Sequence, residues 1–478
     1  MNYYVTTSIP YVNGEPHLGH ALEFLYADVL ARHARLQKTP TLFVTGTDEH
    51  GSKIAEKANE LGITPQQLVD ENSAKFRELQ KMLNISNDRF IRTTDEGHIQ
   101  RAQIIWNELK DDIYKGSYEG WYCIGCETFV PDAKVKENNN ICPDHNRPYE
   151  RLKEDNYFFN LSKYANQIRE AIVSKEFRVT PKTRRNEILH VISSGLEDIS
   201  ISRPKDKISW GIPVPGDDSQ VMYVWFEALL NYITALGYPE SKDFKEYWPA
   251  NVQVIGKDII RHHGAMWPGM LLALGLPLPK TLYVHGFINA EGGVKMSKSL
   301  GNVVSPADIL SKYDPDVFRY FFMRHIPSYD DGDFSWERLD EVYNSELANE
   351  LGNAVQRTAS MINRYEDGVL GDIPETEHDI GQYQQFLNDC RFDKALEDVW
   401  ERVRSLNQYI EEQKPWEIAK TKDKQQLRSV LAYQVAYLLQ IADLLEPFMP
   451  STAVKIRHVF AEGVIRPIEG TLFPRTTQ

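Results

Sequence analysis

Tyr3-Tyr4-Val5-Thr6-Thr7-Ser8-Ile9-Pro10-Tyr11-Val12-Asn13-Gly14-Glu15-Pro16-His17-Leu18-Gly19-His20 is the stretch that decides the fold. Its first six residues form an apolar, β-prone run that reads as a buried strand, and Ala21 to Leu36, just beyond it, has the periodicity of an amphipathic helix. His17 and His20 therefore fall in the first turn of that helix. Unsatisfied backbone N–H groups and the positive end of the helix dipole converge there, so the position favours a phosphate. Two imidazoles three residues apart share one face and can donate to the same anion. Gly19 between them removes a side chain where a base or sugar could lie against the backbone. Taken alone, the pair also fits two ordinary histidines at a helix start.

Further along stands Lys295-Met296-Ser297-Lys298-Ser299, with Glu291-Gly292-Gly293 before it and Gly301-Asn302 after it. This polar, Gly-rich stretch reads as a mobile loop. The ammonium groups of Lys295 and Lys298 can close on a triphosphate and neutralise the charge that develops as pyrophosphate leaves. Around these two motifs the chain alternates strand-like and helix-like segments, at the start and again from Trp210 to Arg324, which includes the apolar Val252-Gln253-Val254-Ile255. These read as the two halves of a doubly wound parallel sheet, whose ligands bind at the carboxyl ends of the strands. Helix formers dominate after Trp336, with periodic apolar positions in Leu347 to Ile362, Phe386 to Tyr409 and Leu427 to Leu445. The predicted architecture is α/β: a doubly wound, Rossmann-like domain in two halves, 1–112 and 209–325, interrupted by an inserted zinc-binding domain, 113–208. A linker, 326–345, then leads to an all-α helical bundle, 346–478.

The inserted segment carries Cys123-x2-Cys126 and Cys142-x2-His145. Three thiolates and one imidazole match a closed, tetrahedral structural zinc site, with iron the minor alternative. Three of the chain's four cysteines fall in this pattern, and a disulfide between Cys123 and Cys126 fits poorly with a chain that shows no secretory signature. Cys390, in a helical segment, reads as a small buried residue. The net charge of −14 argues at first against a polyanionic partner, but phosphate contacts need only local basic clusters. Lys182-Thr183-Arg184-Arg185 is one such cluster, and Arg357 and Arg364 are further basic positions in the helical part. No stretch has the uninterrupted apolar length of a membrane span, and no signal or transit sequence precedes Tyr3, so a cytoplasmic location is expected.

HLGH and KMSKS together, in this order, resemble the signature pair of class I aminoacyl-tRNA synthetases. The likeness is greatest to the methionyl-tRNA synthetase family, through Ile9 to Gly14, Thr45-Gly46-Thr47-Asp48-Glu49-His50-Gly51, Val224 to Tyr232, Ile255-Gly256-Lys257-Asp258 and Val284-His285-Gly286-Phe287-Ile288. The short insertion, Ile113 to Lys207, leaves no room for the large editing domain of the isoleucyl, valyl and leucyl enzymes. The resemblance implies activation of L-methionine by Mg-ATP and transfer to initiator and elongator tRNA(Met). In that reading His17, His20, Lys295 and Lys298 are catalytic, and Gly19, Asp258, His285, Gly286, Phe287, Ile288 and Lys298 hold ATP. Asp48 holds the α-ammonium of methionine. Ile9, Tyr11, Trp225, Ala228 and Tyr232 form a polarizable apolar wall for its thioether, the last three at i, i+3, i+7 on one helical face. His263, assisted by the Tyr11 hydroxyl, touches the sulfur; one residue earlier, His262 departs from the Phe or Pro of many relatives. In the helical part, Asn349, Asn353 and Arg357 lie at i, i+4, i+8, a face about 12 Å long. With Trp416 as a stacking platform they would read a CAU anticodon. A monomer is expected. The competing readings are another class I synthetase, a small-molecule nucleotidyltransferase using HxGH, and a non-catalytic tRNA-binding scaffold.

Overall fold

A computed structural model describes the chain except residues 1, 125–127, 131, 144–145, 297–301, 375–378, 422, 467–469 and 476–478. Cys126, His145 and Lys298 thus lie outside the described residues, as do Ser297, Ser299 and Gly301. Two compact units divide the chain: Met1–Pro16, Lys38–Gln80 and Ser86–Val284 form the first, and His17–Gln37, Lys81–Ile85 and His285–Gln478 the second.

The first unit is built on a six-stranded sheet in the order Arg89–Arg92, Thr41–Thr47, Tyr3–Thr7, Val252–Gly256, Thr281–His285, Arg178–Thr180. Val5 pairs in parallel with Phe43 on one side and Val252 on the other. Thr41–Thr47 is buried at every position from Leu42 onward, as a strand covered on both faces requires. Gly46 is obligatory: a Cβ there would lie 2.0 Å from the carbonyl oxygen of Ile91 on the neighbouring strand. Strand order reverses between Tyr3–Thr7 and Val252–Gly256, which makes the carboxyl edge at these strands the topological switch point. The parallel, Rossmann-like sheet expected from the sequence is present.

Ile113–Cys123 pairs antiparallel with Glu150–Phe159 from Ile113↔Phe159 to Tyr122↔Glu150, flanked by Thr128–Val130 and Ile199–Ser200. Arg178–Thr180, from the same stretch of sequence, instead joins the main sheet, where Val179 is buried in the core that also contains Leu282.

The second unit is helical, as the periodicity predicts, with Leu18–Leu36, Pro315–Arg324, Asn353–Tyr365, Phe392–Gln413, Lys424–Leu445 and Pro450–Val459 its longest α-helices. Two local features depart from regular α-helix. Tyr343–Gly352 is wound as a π-helix leading into Asn353–Tyr365. The expected helix from Phe386 is broken between Gly381–Asn388 and Phe392–Gln413, where Cys390 takes a left-handed φ of 54°; it is buried as expected, but in a turn and not in a helix. Among the described residues no helix is long and apolar enough to cross a membrane.

Candidate functional site

In the first unit, candidates converge on the carboxyl edge of three adjacent parallel strands. The segment after Tyr3–Thr7 carries Ile9 and Tyr11, both half-buried against the core. Asp48 directly follows Thr41–Thr47 and is locked to that segment: its N–H donates to the Pro10 carbonyl at 2.9 Å, and its carbonyl accepts from Val12 N–H at 3.2 Å. Asp258 sits in the single turn Lys257–Ile259 that follows Val252–Gly256, exposed to solvent.

Trp225, Ala228 and Tyr232 lie on two short consecutive helices, Val224–Leu229 and Asn231–Thr234, with a turn at Leu230 in place of the single helix expected. Ala228 and Tyr232 are buried and Trp225 half-buried. The Trp225 indole stacks on the His262 imidazole, with ring centres 3.9 Å apart and planes 8° from parallel, and meets His263 edge-on at 6.2 Å. His263 is buried; its Nδ1 pairs with the Ile259 carbonyl at 3.1 Å and its Nε2 with the Tyr232 hydroxyl at 2.7 Å. Because a carbonyl can only accept, Nδ1 carries the proton and Nε2 accepts from Tyr232. Burial pushes the His263 pKa down to about 4 and that of His262, which also faces His263 and Arg261, to about 3. Both rings are therefore neutral at physiological pH.

Sequence reasoning missed what holds this wall in place. Glu227, fully buried between Trp225 and Ala228 in sequence, receives His50 Nδ1 at 2.8 Å and His98 Nε2 at 2.9 Å. Burial alone would raise its pKa; the two imidazoles hold it below the usual carboxylate value. The pairing ties the wall helix to the segment that begins at Asp48. A glutamate amid Trp, Phe, Ala and Leu was the available signal, since a charge in an apolar run needs a partner.

In the second unit the Leu18–Leu36 helix begins at His17, whose Nδ1 accepts the Gly19 N–H at 3.1 Å, while His17 N–H donates to His20 Nδ1 at 3.3 Å. The two rings stack with centres 3.6 Å apart. Each histidine thus caps the helix through Nδ1. Although the His20 ring keeps some exposed surface, dense surroundings, followed by His17 and His285, push its pKa well below the ordinary value. With Nδ1 accepting, a neutral ring carries its proton on Nε2, as a donor. His285 pairs through Nε2 with Glu23 at 3.1 Å. Gly286 has no alternative: a Cβ there would meet the Asp330 carbonyl oxygen at 2.3 Å. Phe287 is exposed, with its N–H bound to Asp331, and Ile288–Ala290 pairs in parallel with Gly332–Phe334. Gly292 and Gly293 both take φ of 74° in the turn that leads to the exposed Lys295.

Cys123 and Cys142 are buried together in a small cluster with Val130, Val135 and Tyr149. The Cys142 carbonyl accepts from Asn146 N–H at 2.8 Å. Two thiols in one small core fit a thiolate metal site; among the described residues no group of three such ligands occurs. Asn349, Asn353 and Arg357 line one cavity of about 300 Å³ despite the π-turn at Asn349, and Arg357 stands 5.4 Å from the centre of the half-buried Trp416 ring. Glu350, Arg404, Asn407 and Glu411 also line it; for the last three the sequence offered only their shared face on a long helix.

A doubly wound parallel sheet with a histidine-capped phosphate-type turn and an appended helical unit is the plan of a class I tRNA synthetase, and the family model described as "tRNA synthetases class I (M)" matches residues 3–150 and 139–359. Methionine–tRNA ligase of Caldanaerobacter subterraneus subsp. tengcongensis is 43% identical over 95% of this chain and 73% of its own length. The enzyme of that name from Brucella melitensis is 40% identical over 96% and 92%. Among solved structures, Mycobacterium tuberculosis methionyl-tRNA synthetase in complex with methionyl-adenylate superposes with a TM-score of 0.93 at 36% identity, covering 99% of this chain and 100% of that one. The chain belongs to the methionyl-tRNA synthetase family.

Proposed function

We infer that this chain activates L-methionine with Mg-ATP and transfers it to tRNA(Met). One observation supports this above the rest. Asp48, a buried carboxylate bridged to the Tyr11 segment, shares the switch-point edge of the sheet with an aromatic wall and a neutral histidine, His263. A carboxylate suits an α-ammonium, and neutral aromatic walls suit a thioether. His263, assisted by the Tyr11 hydroxyl and oriented by the Tyr232 hydroxyl that donates to it, is the polar group that penalises purely aliphatic analogues.

In the first step the methionine carboxylate attacks the α-phosphorus of ATP in line, the P–O bond to the β-phosphate breaks, and pyrophosphate leaves. In the second the terminal ribose hydroxyl of the tRNA attacks the carbonyl of the mixed anhydride and AMP leaves. Catalysis is positioning and charge neutralisation. His17 and His20 present Nε2–H donors to the phosphates, Lys295 and Lys298 neutralise the departing pyrophosphate, and Asp258 holds the ribose. Gly19 and His285 to Ile288 receive the adenine. Magnesium arrives with ATP. Cys123, Cys126, Cys142 and His145 hold a structural zinc that cross-links the insertion and takes no part in the chemistry. Asn349, Asn353, Arg357 and Trp416 read the CAU anticodon. The protein is proposed to act as a cytoplasmic monomer.

The test is methionine-dependent exchange of labelled pyrophosphate into ATP without tRNA, across all twenty amino acids. Exchange with methionine alone is expected. Exchange with another amino acid would keep the mechanism and overturn the pocket, and none at all would favour the scaffold reading.

A further inference from the structure

Trp225 and Tyr232 ride on separate short helices, Val224–Leu229 and Asn231–Thr234. A wall made of two pieces keeps its shape only if both are tied to one frame. Asn231 supplies a short tie, its Nδ2 donating to the Ala228 carbonyl at 2.7 Å. A longer tie runs through side chains. Glu227, on the first helix, accepts from His98 Nε2 at 2.9 Å, and His98 Nδ1 pairs with the hydroxyl of Thr234, at the end of the second helix, at 2.8 Å. Glu227 and His98 have no exposed side-chain surface, and Thr234 is buried. His50, on the other carboxylate oxygen, continues the chain to the segment that begins at Asp48. His50, Glu227, His98 and Thr234 therefore form one buried line, which passes through the Glu96–Glu108 helix and touches every piece of the pocket.

Each proton in this line has a fixed direction. A carboxylate only accepts, so both ring nitrogens that face Glu227 carry protons; with one proton on its ring, His98 leaves Nδ1 to accept from the Thr234 hydroxyl. The other acceptor in reach of that hydroxyl, the Asn231 carbonyl, is 3.4 Å away, well beyond the usual O–H···O length. We propose that Glu227, His98 and Thr234 are positioning residues for methionine, acting through Trp225 and Tyr232 and not on the substrate itself. They hold the two aromatic rings in register with each other and with Asp48, and so set both methionine affinity and the rejection of aliphatic analogues. Rejection enters through Tyr232, whose hydroxyl orients His263. This deepens the methionine-pocket reading given above and rests on it. In a buried line of this kind, removing one link leaves a polar group unpaired and lets its neighbours move, and small misplacements of positioning groups are felt strongly in kinetics.

The test is ATP–pyrophosphate exchange with methionine and with norleucine, which has a methylene in place of the sulfur, in the unchanged chain and in Thr234→Val, Thr234→Ser and Glu227→Gln. Thr234→Val removes the hydroxyl at constant shape. It should raise KM for methionine about tenfold, leave KM for ATP where it was, and lower the kcat/KM ratio of methionine over norleucine. Thr234→Ser keeps the hydroxyl and should restore both values. Glu227→Gln keeps one acceptor but sets an N–H against the second imidazole N–H, and should show the Thr234→Val pattern. A loss of folded protein lowers kcat alone and moves neither KM nor the ratio, and if Glu227→Gln fails to fold, the Thr234 pair decides. Methionine KM and ratio unchanged in Thr234→Val overturn the proposal, and so do equal rises in the KM values for methionine and ATP, or a Thr234→Ser that behaves as Thr234→Val does. Absence of methionine-dependent exchange in the unchanged chain would instead overturn the methionine reading itself.

Discussion

Neutral histidine is the chemical choice that recurs at single positions in this chain. His20 is kept uncharged by its surroundings, His17 and His285, and a helix start favours a neutral imidazole over a cation. His263 goes further, because the accepting nitrogen that takes the Tyr232 hydroxyl exists only while the ring is neutral. Its consequence for pH follows from linkage. The folded pKa of about 4 lies below the ordinary 6.5, so the unfolded chain binds a proton first as pH falls. Stability is complete above pH 6.5, erodes between 6.5 and about 4, and does not fall further on this account below that. Each pH unit within the window costs about 1.4 kcal/mol per such group. Urea midpoints at pH 7 and pH 5 should therefore drop by less in His263→Gln, which cannot titrate there, than in the unchanged chain. Equal drops in both would mean that His263 titrates in the fold as it does in water.

Among the elements, the inserted antiparallel sheet rests at its far end on a small apolar cluster. Among the described residues that cluster comprises five buried residues with Trp121 packed against them, far short of a self-sufficient core. The proposed zinc would supply a cross-link there, and the thiols of Cys123 and Cys142 are the two most buried side chains of that cluster. Metal analysis of the purified chain should return one zinc per molecule. Stripping it with a chelator, or Cys142→Ser, should open the 121–149 region to limited proteolysis well before the parallel sheet. Resistance to proteolysis after zinc is removed would leave the cluster self-supporting and the cross-link superfluous. The helix that carries Trp225, by contrast, is secured from within, by the buried Glu227 and its two histidines.

At the scale of the molecule, the sequence is most readable where structure is local. The strand before HLGH, the helix after it and the carboxylate at the end of Thr41–Thr47 are all set by runs of a few residues. Glu227 and His50 stand 177 positions apart, and Glu411 reaches Arg357 from another helix 54 positions away; no periodicity announces such partners. Arg319 is the extreme case. Completely buried in a helix of aromatic neighbours, it binds Asp28 at 2.7 Å and donates to the carbonyls of Leu83, Pro447 and Phe448. One side chain thereby joins four segments of the second unit, including the helix that starts at His17. Burying a guanidinium costs several kcal/mol, and only full pairing offsets it. Arg319→Leu removes the donor to three carbonyls and one of the guanidinium partners of Asp28, whose contact with Arg32 at 2.8 Å remains, so it should lower unfolding free energy by about 3–5 kcal/mol. Asp28→Leu combined with Arg319→Leu removes the buried charge as well and should cost less than the two single changes summed. Thermal and urea unfolding of the four proteins form a double-mutant cycle. A coupling energy near zero would mean that Arg319 works only through the carbonyls, and that the helix bearing the phosphate-type turn is held by packing, without the ion pair.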